Sequence, residues 1–226
     1  MLEHVSNAGR VLRPASLLEA LRERTKALHA LAERTGIVTE ILHRRASVVG
    51  YALLLRNLLP VYRAMEQSLA AHGTSPVVGP IVRPELYRTD AIVADLDALA
   101  KLHRFNELPQ LPEAARYADA IGQAAEGAVV RLIAHAYTRY LGDLSGGQIL
   151  KRLLERSLDL PGEVFSFYDF PEIADIGIFK AEYRSAIERA GNELVEFDVI
   201  VEEGARAFEL NIELSLAIQQ TAARIY

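Results

Sequence analysis

The chain has 226 residues, of which 50% are hydrophobic and 24% charged, and its formal charge at pH 7 is −5. This length suits one domain with a sizeable core, and the composition excludes a disordered, collagen-like or low-complexity protein. The acidic balance, without a long Lys/Arg run, argues against a nucleic-acid partner. The absence of cysteine excludes disulfides and thiolate metal sites and favours a cytoplasmic location.

Helical spacing of the apolar residues dominates the chain and predicts an all-α fold. We interpret residues 1–15 as an N-terminal extension without a secretory signal and residues 16–222 as one domain. No run of 18 apolar residues occurs, so no membrane anchor is predicted. The Gly- and Pro-rich stretch 72–84 is predicted to be a loop. The expected helices are 16–34, 39–71, 84–104, 112–122, 125–155, 172–189 and 193–222.

The first predicted helix opens with a capping box, Ser16–Glu19, and carries a polar strip beside its apolar stripe. The strip holds Arg22, Lys26, His29 and Glu33 at steps of four, three and four residues. These residues form either a solvated face at the edge of the core or a ligand site. In a ligand site, His29 is an axial metal ligand, Glu33 fixes its tautomer, and the two cations bind an anion.

A second polar segment, residues 135–148, interrupts an apolar helical run with three glycines, Gly142, Gly146 and Gly147. Each glycine costs roughly 1 kcal/mol relative to alanine inside a helix, so a compensating gain is expected. Thr138, Gly142 and Gly146 lie four residues apart and form a strip without bulk, on which a flat ligand could rest close to the backbone. The alternative is a helix that ends at Leu141 and is followed by a Gly-rich loop.

Two other features of this segment need an interpretation. Arg139 and Asp143 are four residues apart and can form an ion pair or share a polar network. The letters LSGGQ at 144–148 also match the signature of ABC-type ATPases, which need a GxxxxGK[ST] phosphate loop. No Gly-Lys dipeptide occurs anywhere in the chain, so we reject the ATPase interpretation.

The stretch from Ala134 to Arg152, which contains YTRYLGDLSGGQILKR, closely resembles the signature of the biliverdin-forming haem oxygenases. The first helix resembles the proximal helix of that family through Thr25, Lys26, His29, Ala32 and Glu33. The resemblance covers about residues 16–216 and includes Pro84–Leu86, residues 165–173, Phe179–Lys180, Tyr183–Arg184 and Ala207–Asn211. It implies a single-domain, multi-helix bundle in which haem lies between the proximal helix and a glycine-kinked distal helix.

The resemblance also implies roles for the residues on both sides of the haem. His29 is expected to be the axial ligand of the iron, with Glu33 beside its other nitrogen. The distal helix is expected to approach the ring at Gly142 and Gly146, with Thr138 on the same strip. Asp143 is expected to anchor a water network that donates hydrogen bonds to bound oxygen, with Arg139 and Tyr62 as network members.

The two haem propionates need cationic partners, and the resemblance assigns Arg22, Lys26, Lys180 and Arg184 to them. Arg22 stands where related enzymes often carry lysine, which keeps the charge but changes the donor geometry. Tyr137 is expected to reach a propionate or the haem edge. Phe208 and Asn211, which are three residues apart on the last helix, are expected to form part of the pocket wall.

The activity implied is cleavage of haem b, the substrate and cofactor, by O2 and external electrons to biliverdin, CO and ferrous iron, at the α-meso carbon. The chain has no cysteine for an iron–sulfur cluster and no Rossmann fingerprint, so a separate reductase or ferredoxin is the expected donor. A biliverdin-accepting protein is a further expected partner. One alternative is a non-catalytic haem carrier or sensor on the same fold. Another is a relative with two non-haem irons, held by converging carboxylate and histidine ligands.

Overall fold

The computed structural model describes residues 16–103, 108–195 and 197–225, so the expected extension 1–15 lies outside the described residues. The described residues contain helices and no strand, which confirms the all-α prediction. A five-residue π-helix, Asp143–Gly147, joins α6 to α7 and is called the π segment below. The helices are α1 (Leu17–Ala32), α2 (Gly36–Leu42), α3 (Val48–Ala71), α4 (Thr89–Leu102), α5 (Pro112–Glu126), α6 (Leu132–Gly142), α7 (Gln148–Leu158), α8 (Ile176–Asn192) and α9 (Asp198–Ile225).

The predicted helix 39–71 is wrong, because the chain forms two helices there. The α2 helix ends at Leu42, Arg44 takes a left-handed conformation with φ of 58°, and the Ser47 hydroxyl caps α3 by accepting from the Gly50 amide. The sequence pattern continues across the break, because the apolar residues Val38, Leu42 and Ala46 are spaced by four residues and remain in helical phase.

The predicted helix 84–104 begins later in the structure, and the predicted helix 125–155 is interrupted near its start. Pro84–Leu86 is a short 3₁₀ turn, and α4 starts at Thr89, whose amide donates to the buried carboxylate of Glu66. The α5 helix ends at Glu126, and a 3₁₀ turn, Val129–Arg131, precedes α6. Helix α8 starts at Ile176 instead of 172, because the Asp175 side chain caps it by accepting from the Ile178 amide.

The 28-residue α9 helix is central, and α1, α2, α3, α5 and α6 all pack against it. The start of α1 is fixed by Ser16, which accepts from the Glu19 amide as predicted. It is fixed also by the Glu188 carboxylate of α8, which accepts from the amides of Leu17 and Leu18 at 3.0 and 3.2 Å. These caps satisfy amides that the first helical turn leaves free and hold α1 against α8 and α9.

Gly36, the first residue of α2, is the glycine that this packing requires most strictly. Its φ is +64°, and an added Cβ would lie 2.3 Å from Ser215 Oγ and 2.4 Å from the Ser215 carbonyl carbon on α9. An L-residue is strained at this φ, and backbone atoms cannot move aside as a flexible side chain can.

We therefore expect Gly36→Ala to lower the free energy of unfolding by about 3 kcal/mol. The measurement is urea unfolding of the variant and the wild type. Gly122→Ala is the control, because Gly122 lies in α5 and an added Cβ there meets no atom within 4 Å. The control is expected to gain about 0.5–1 kcal/mol. Equal stability of the two variants would contradict the packing argument.

Candidate functional site

A cavity of about 1420 Å³ lies between α1 on one side and α6, the π segment and α7 on the other. Residues of α8 and α9 complete its wall. Apart from Tyr62, every site residue predicted from the sequence lines this cavity, although these residues come from four separate helices and the π segment. They are Arg22, Lys26, His29, Glu33, Tyr137, Thr138, Arg139, Gly142, Asp143, Gly146, Lys180, Arg184, Phe208 and Asn211.

Two glycines on the α6 side, Gly142 and Gly146, line the cavity, and neighbouring protein atoms would not prevent a larger residue at either position. Gly142 has ordinary helical angles, φ −62° and ψ −49°, and an added Cβ at Gly142 or Gly146 would meet no protein atom within 4 Å. Gly147 differs, since its added Cβ would lie 3.4 Å from the Tyr168 ring. The bare strip at Gly142 and Gly146 thus leaves room for a flat ligand against the helix backbone.

The alternative of a helix ending at Leu141 with a loop beyond it is wrong. The helix continues through Gly142 into the π segment and then into α7. A single π turn inside a helix is often found at functional sites. Gln148 secures this one, because its side-chain amide donates to the Tyr168 carbonyl at 2.8 Å and approaches the Asp143 carbonyl at 3.5 Å.

A buried polar network, called the distal network here, lies beside the glycine strip and consists of Tyr62, Arg139, Asp143 and Asn211. The Tyr62 hydroxyl donates a very short hydrogen bond to Asp143 Oδ2. Arg139 donates to the Tyr62 oxygen at 2.8 and 3.0 Å, to Asn211 Oδ1 at 2.6 Å and to Asp143 Oδ1 at 3.4 Å. Asp143 is therefore held by a hydrogen-bond network and does not form only a simple ion pair with Arg139.

Burial governs the electrostatics of the distal network. It raises the pKa of Asp143 above its usual value, and the nearby Arg139 charge and the Tyr62 hydrogen bond oppose that rise. Burial also raises the pKa of Tyr62 well above its usual range, with Asp143 adding to the effect. The Tyr62 proton therefore stays on its oxygen at neutral pH and is directed at the Asp143 carboxylate.

Across the cavity, His29 projects from the last turn of α1. It lines the cavity, and its side chain is 62% exposed. Its Nδ1 lies 3.6 Å from Glu33 Oε1, and the centroid of its ring lies 5.8 Å from that of the Phe208 ring. Because Nδ1 is directed at the carboxylate, Nε2 is the ring nitrogen suited to bind a metal. Phe208 limits the sideways movement of the imidazole.

Four cations lie at the lining of the cavity: Arg22 and Lys26 on α1, and Lys180 and Arg184 on α8. Among the residues that the structure describes, none of the four has a carboxylate within ion-pair distance. Lys180 Nζ lies 3.4 Å from the Ser145 hydroxyl of the π segment. Burial raises the pKa of the Tyr137 hydroxyl, while Thr25 and the positive charges of Arg184 and Arg22 act to lower it.

Sequence analysis missed two parts of the site. Asn211 was expected in the wall, but it is also a member of the distal network, a role that its three-residue spacing from Phe208 could not reveal. The apolar end of the cavity was not predicted at all, because its residues look like ordinary core positions in their own helices. It is lined by Val38, Leu42, Leu54, Leu58, Leu214 and Ile218.

The di-iron alternative finds no support in the described parts of the chain. One Glu-x-x-His pair does occur, at Glu40 and His43, but Glu40 is bound to Arg45 at 3.1 Å and to Gln219 at 2.8 Å. No group of three His, Cys, Asp or Glu side chains that could hold a metal ion is found among the described residues. The described helices also include none that is long and apolar enough to cross a membrane.

Comparison with known proteins gives consistent results. The family model described as Heme oxygenase matches residues 15–217. Human "Heme oxygenase 1" is 37% identical over 211 residues, covering 92% of this chain and 73% of the human protein. The structure of the Leptospira interrogans heme oxygenase has a TM-score of 0.83 and 35% identity over 89% of this chain and 99% of its own. Heme oxygenase-1 from Synechocystis, solved in complex with heme, has a TM-score of 0.82 and 34% identity over 91% and 93%.

We expect Gly142→Ala to weaken haem binding by at least about tenfold, because its methyl group occupies the space above the helix backbone. The ligand-free variant should gain up to about 1 kcal/mol in stability, because the methyl group meets no protein atom. Haemin titration followed by absorbance measures the first effect and urea unfolding the second. Gly122→Ala is the matched control and should show only the gain in stability. Unchanged haem affinity in Gly142→Ala would contradict the proposed function of the glycine strip.

Proposed function

Because this chain belongs to the haem oxygenase family, we propose that its cavity binds haem b and that the protein converts it to biliverdin, CO and ferrous iron, with cleavage at the α-meso carbon. The observation that carries this proposal is the composition of one cavity. It combines a histidine suited to ligate iron, a glycine strip that accepts a flat ring, and four cations that have no carboxylate partner among the described residues.

The residues present fit a haem in charge, shape and ligand type. His29 would hold the iron through Nε2, while Glu33 beside Nδ1 keeps the imidazole in the required orientation. The apolar wall suits the porphyrin ring. The two carboxylates of haem would bind the cation set, with Lys180 and Arg184 on α8 and Arg22 and Lys26 on α1. Haem supplies the chemistry of O2 activation and is also the molecule that is cleaved.

The chain's own contribution is orientation and proton supply. The cations on α1 and α8 would hold the two propionates and so fix the rotation of the ring in its plane. The α-meso carbon is the position that we propose for cleavage. The Asp143 carboxyl, held by Tyr62 and Arg139, is the group that orders water and supplies hydrogen bonds beside the glycine strip.

The same proposal includes an external electron donor, a reductase or a ferredoxin, and a protein that accepts biliverdin. The absence of cysteine supports an external donor, since the chain cannot ligate an iron–sulfur cluster through thiolates. It also supports a cytoplasmic location. The carrier alternative would need His29 and the cations but has no use for the buried distal network, so the presence of that network favours the enzyme.

The test of this function is an absorption time course with one equivalent of haemin, first alone and then with ascorbate or a reductase in air, with catalase present. A Soret band should form on binding, decay on reduction and give way to the broad red band of biliverdin, and chromatography should identify the α isomer. His29→Ala should bind haem without the imidazole ligand and produce no biliverdin. A wild-type Soret band that persists under reduction would support the carrier, and no Soret band would refute both functions.

We expect Asp143→Asn to retain haem affinity within about twofold but to form biliverdin at least about 100-fold more slowly, because the amide cannot act as an acid or base. The measurement is the initial rate of biliverdin formation at saturating haem. Asp119→Asn, a substitution at an exposed carboxylate of α5, is the control and should behave as wild type. If Asp143→Asn and the control turn over equally fast, Asp143 has only a structural role.

A further inference from the structure

The first turn of α1 is capped by a carboxylate that belongs to another helix. Glu188 of α8 accepts from the Leu17 amide through Oε1 at 3.0 Å and from the Leu18 amide through Oε2 at 3.2 Å. Ser16 already supplies a local cap by accepting from the Glu19 amide. A local cap is enough to start a helix, whereas a cap from α8 also joins two helices. Glu188 therefore fixes where α1 begins relative to α8.

The helices meet closely at this junction. An added Cβ at Gly191 of α8 would lie 2.6 Å from the Cβ of Leu17, and one at Gly204 of α9 would lie 2.6 Å from the Leu21 side chain. Leu17 and Leu21 are both fully buried. The first half of α1 thus packs against bare backbone of α8 and α9, and the helices have no room to move closer together.

The second half of α1 is held less firmly than the first. The buried residues of α1 all lie within 17–25, and in this fully described helix none lies within 26–32. Leu31, for example, is 45% exposed. Since a helix is stiff over this length, Lys26 and His29 take their position largely from the anchored first half.

The cap by Glu188 joins the two helix faces that carry the cations of the cavity. On α8, steps of four residues place three side chains on one face: Lys180, Arg184 and Glu188. On α1, the same steps place on one face Leu18, Arg22 and Lys26. The bond from the Leu18 amide to Glu188 is therefore in register with both cation pairs, one helical turn away from the nearer cation on each helix.

The charge of Glu188 alone would act against binding of an anion in the cavity. Both of its carboxylate oxygens accept from α1 amides, and within the described residues it has no cation at ion-pair distance. A negative charge near a set of cations weakens their attraction for an anion. Geometry and charge thus predict opposite effects of Glu188 on the binding of an anionic ligand.

We propose that Glu188 is a positioning residue that holds the α1 cations, Arg22 and Lys26, at a fixed distance from the α8 cations. With this distance fixed, the two carboxylates of one haem can be bound by both helices at once. The inference rests on the proposed function for the identity of the ligand. The cap itself is a property of the ligand-free protein.

The first test needs no haem and uses Glu188→Asp, which keeps the charge but shortens the side chain by one methylene group. The shorter carboxylate cannot reach both amides, and the close contact at Gly191 prevents the helices from closing the gap. The amide protons of Leu17 and Leu18, followed by NMR, should exchange with solvent at least about threefold faster. Glu182→Asp is the matched control, because Glu182 is exposed on the same helix.

The second test compares the affinities for haemin and for haemin dimethyl ester, in which neither carboxylate is charged, by titration of the Soret band. The ratio of the two affinities measures what the cations contribute. It should fall at least about threefold in Glu188→Asp and stay at the wild-type value in Glu182→Asp. A general loosening of the fold would weaken both ligands alike and leave the ratio unchanged.

Glu188→Gln separates geometry from charge. It keeps the length of the side chain but loses the charge and one of the two acceptors. The positioning role predicts a lower ratio for this variant, whereas an effect of charge alone would raise it. If Glu188→Asp does not fold, the ratio in Glu188→Gln decides.

The outcomes distinguish this inference from the proposed function. If the wild type forms no Soret band, the proposed function fails, and amide exchange still shows whether Glu188 caps α1. If the wild type binds haemin but the ratio is unchanged or higher in the Glu188 variants, the inference is overturned while the proposed function stands. Amide exchange at Leu17 and Leu18 that is the same in Glu188→Asp and in the wild type overturns the inference as well.

Discussion

The structure depends on one constraint: at Gly142 and Gly146 the helix backbone lines the cavity without side chains to cover it. Gly142 and Gly146 give up side-chain packing and helix propensity, which costs roughly 1 kcal/mol each, and no protein atom fills the space that they leave. A surface of this kind is stable only if the flanking helix is held firmly from its other side. The π segment, the Gln148 bond to Tyr168 and the distal network all supply such support.

The side chains of the distal network therefore serve two purposes, since they orient Asp143 and also join three helices. Tyr62 and Asn211 extend from α3 and α9 to Arg139 on α6, so that the hydrogen bonds that orient Asp143 also tie three helices together. A buried network of this kind is favourable only when each donor finds its acceptor, which makes its geometry specific. The acid that the proposed reaction needs is thus held at a fixed position by the same bonds that stabilise the helix at the π segment.

The sequence predicted the composition of the site better than the boundaries of the helices. The residues on α1 and α6 follow helical spacing, and a long motif from Ala134 to Arg152 identifies the family, so His29 and Asp143 could be placed in one cavity without coordinates. The break at Arg44 could not be predicted, because the apolar residues Leu42 and Ala46 on either side of it remain in helical phase. The cap from Glu188 and the role of Asn211 depend on which helices meet, and local periodicity carries no such information.

Residues beyond contact with the haem are the ones that sequence patterns describe least well. His135 lies inside the family motif and reads there as another polar residue of the helix, and Glu203 lies 68 residues later, where nothing in the sequence links it to His135. Their proximity follows only from the packing of α6 on α9. The His135–Glu203 hydrogen bond joins α6 to α9 one helical turn before Arg139, whose own hydrogen bond to Asn211 joins the same two helices. The geometry of the site therefore depends on the helix interface behind it as well as on the residues that line it.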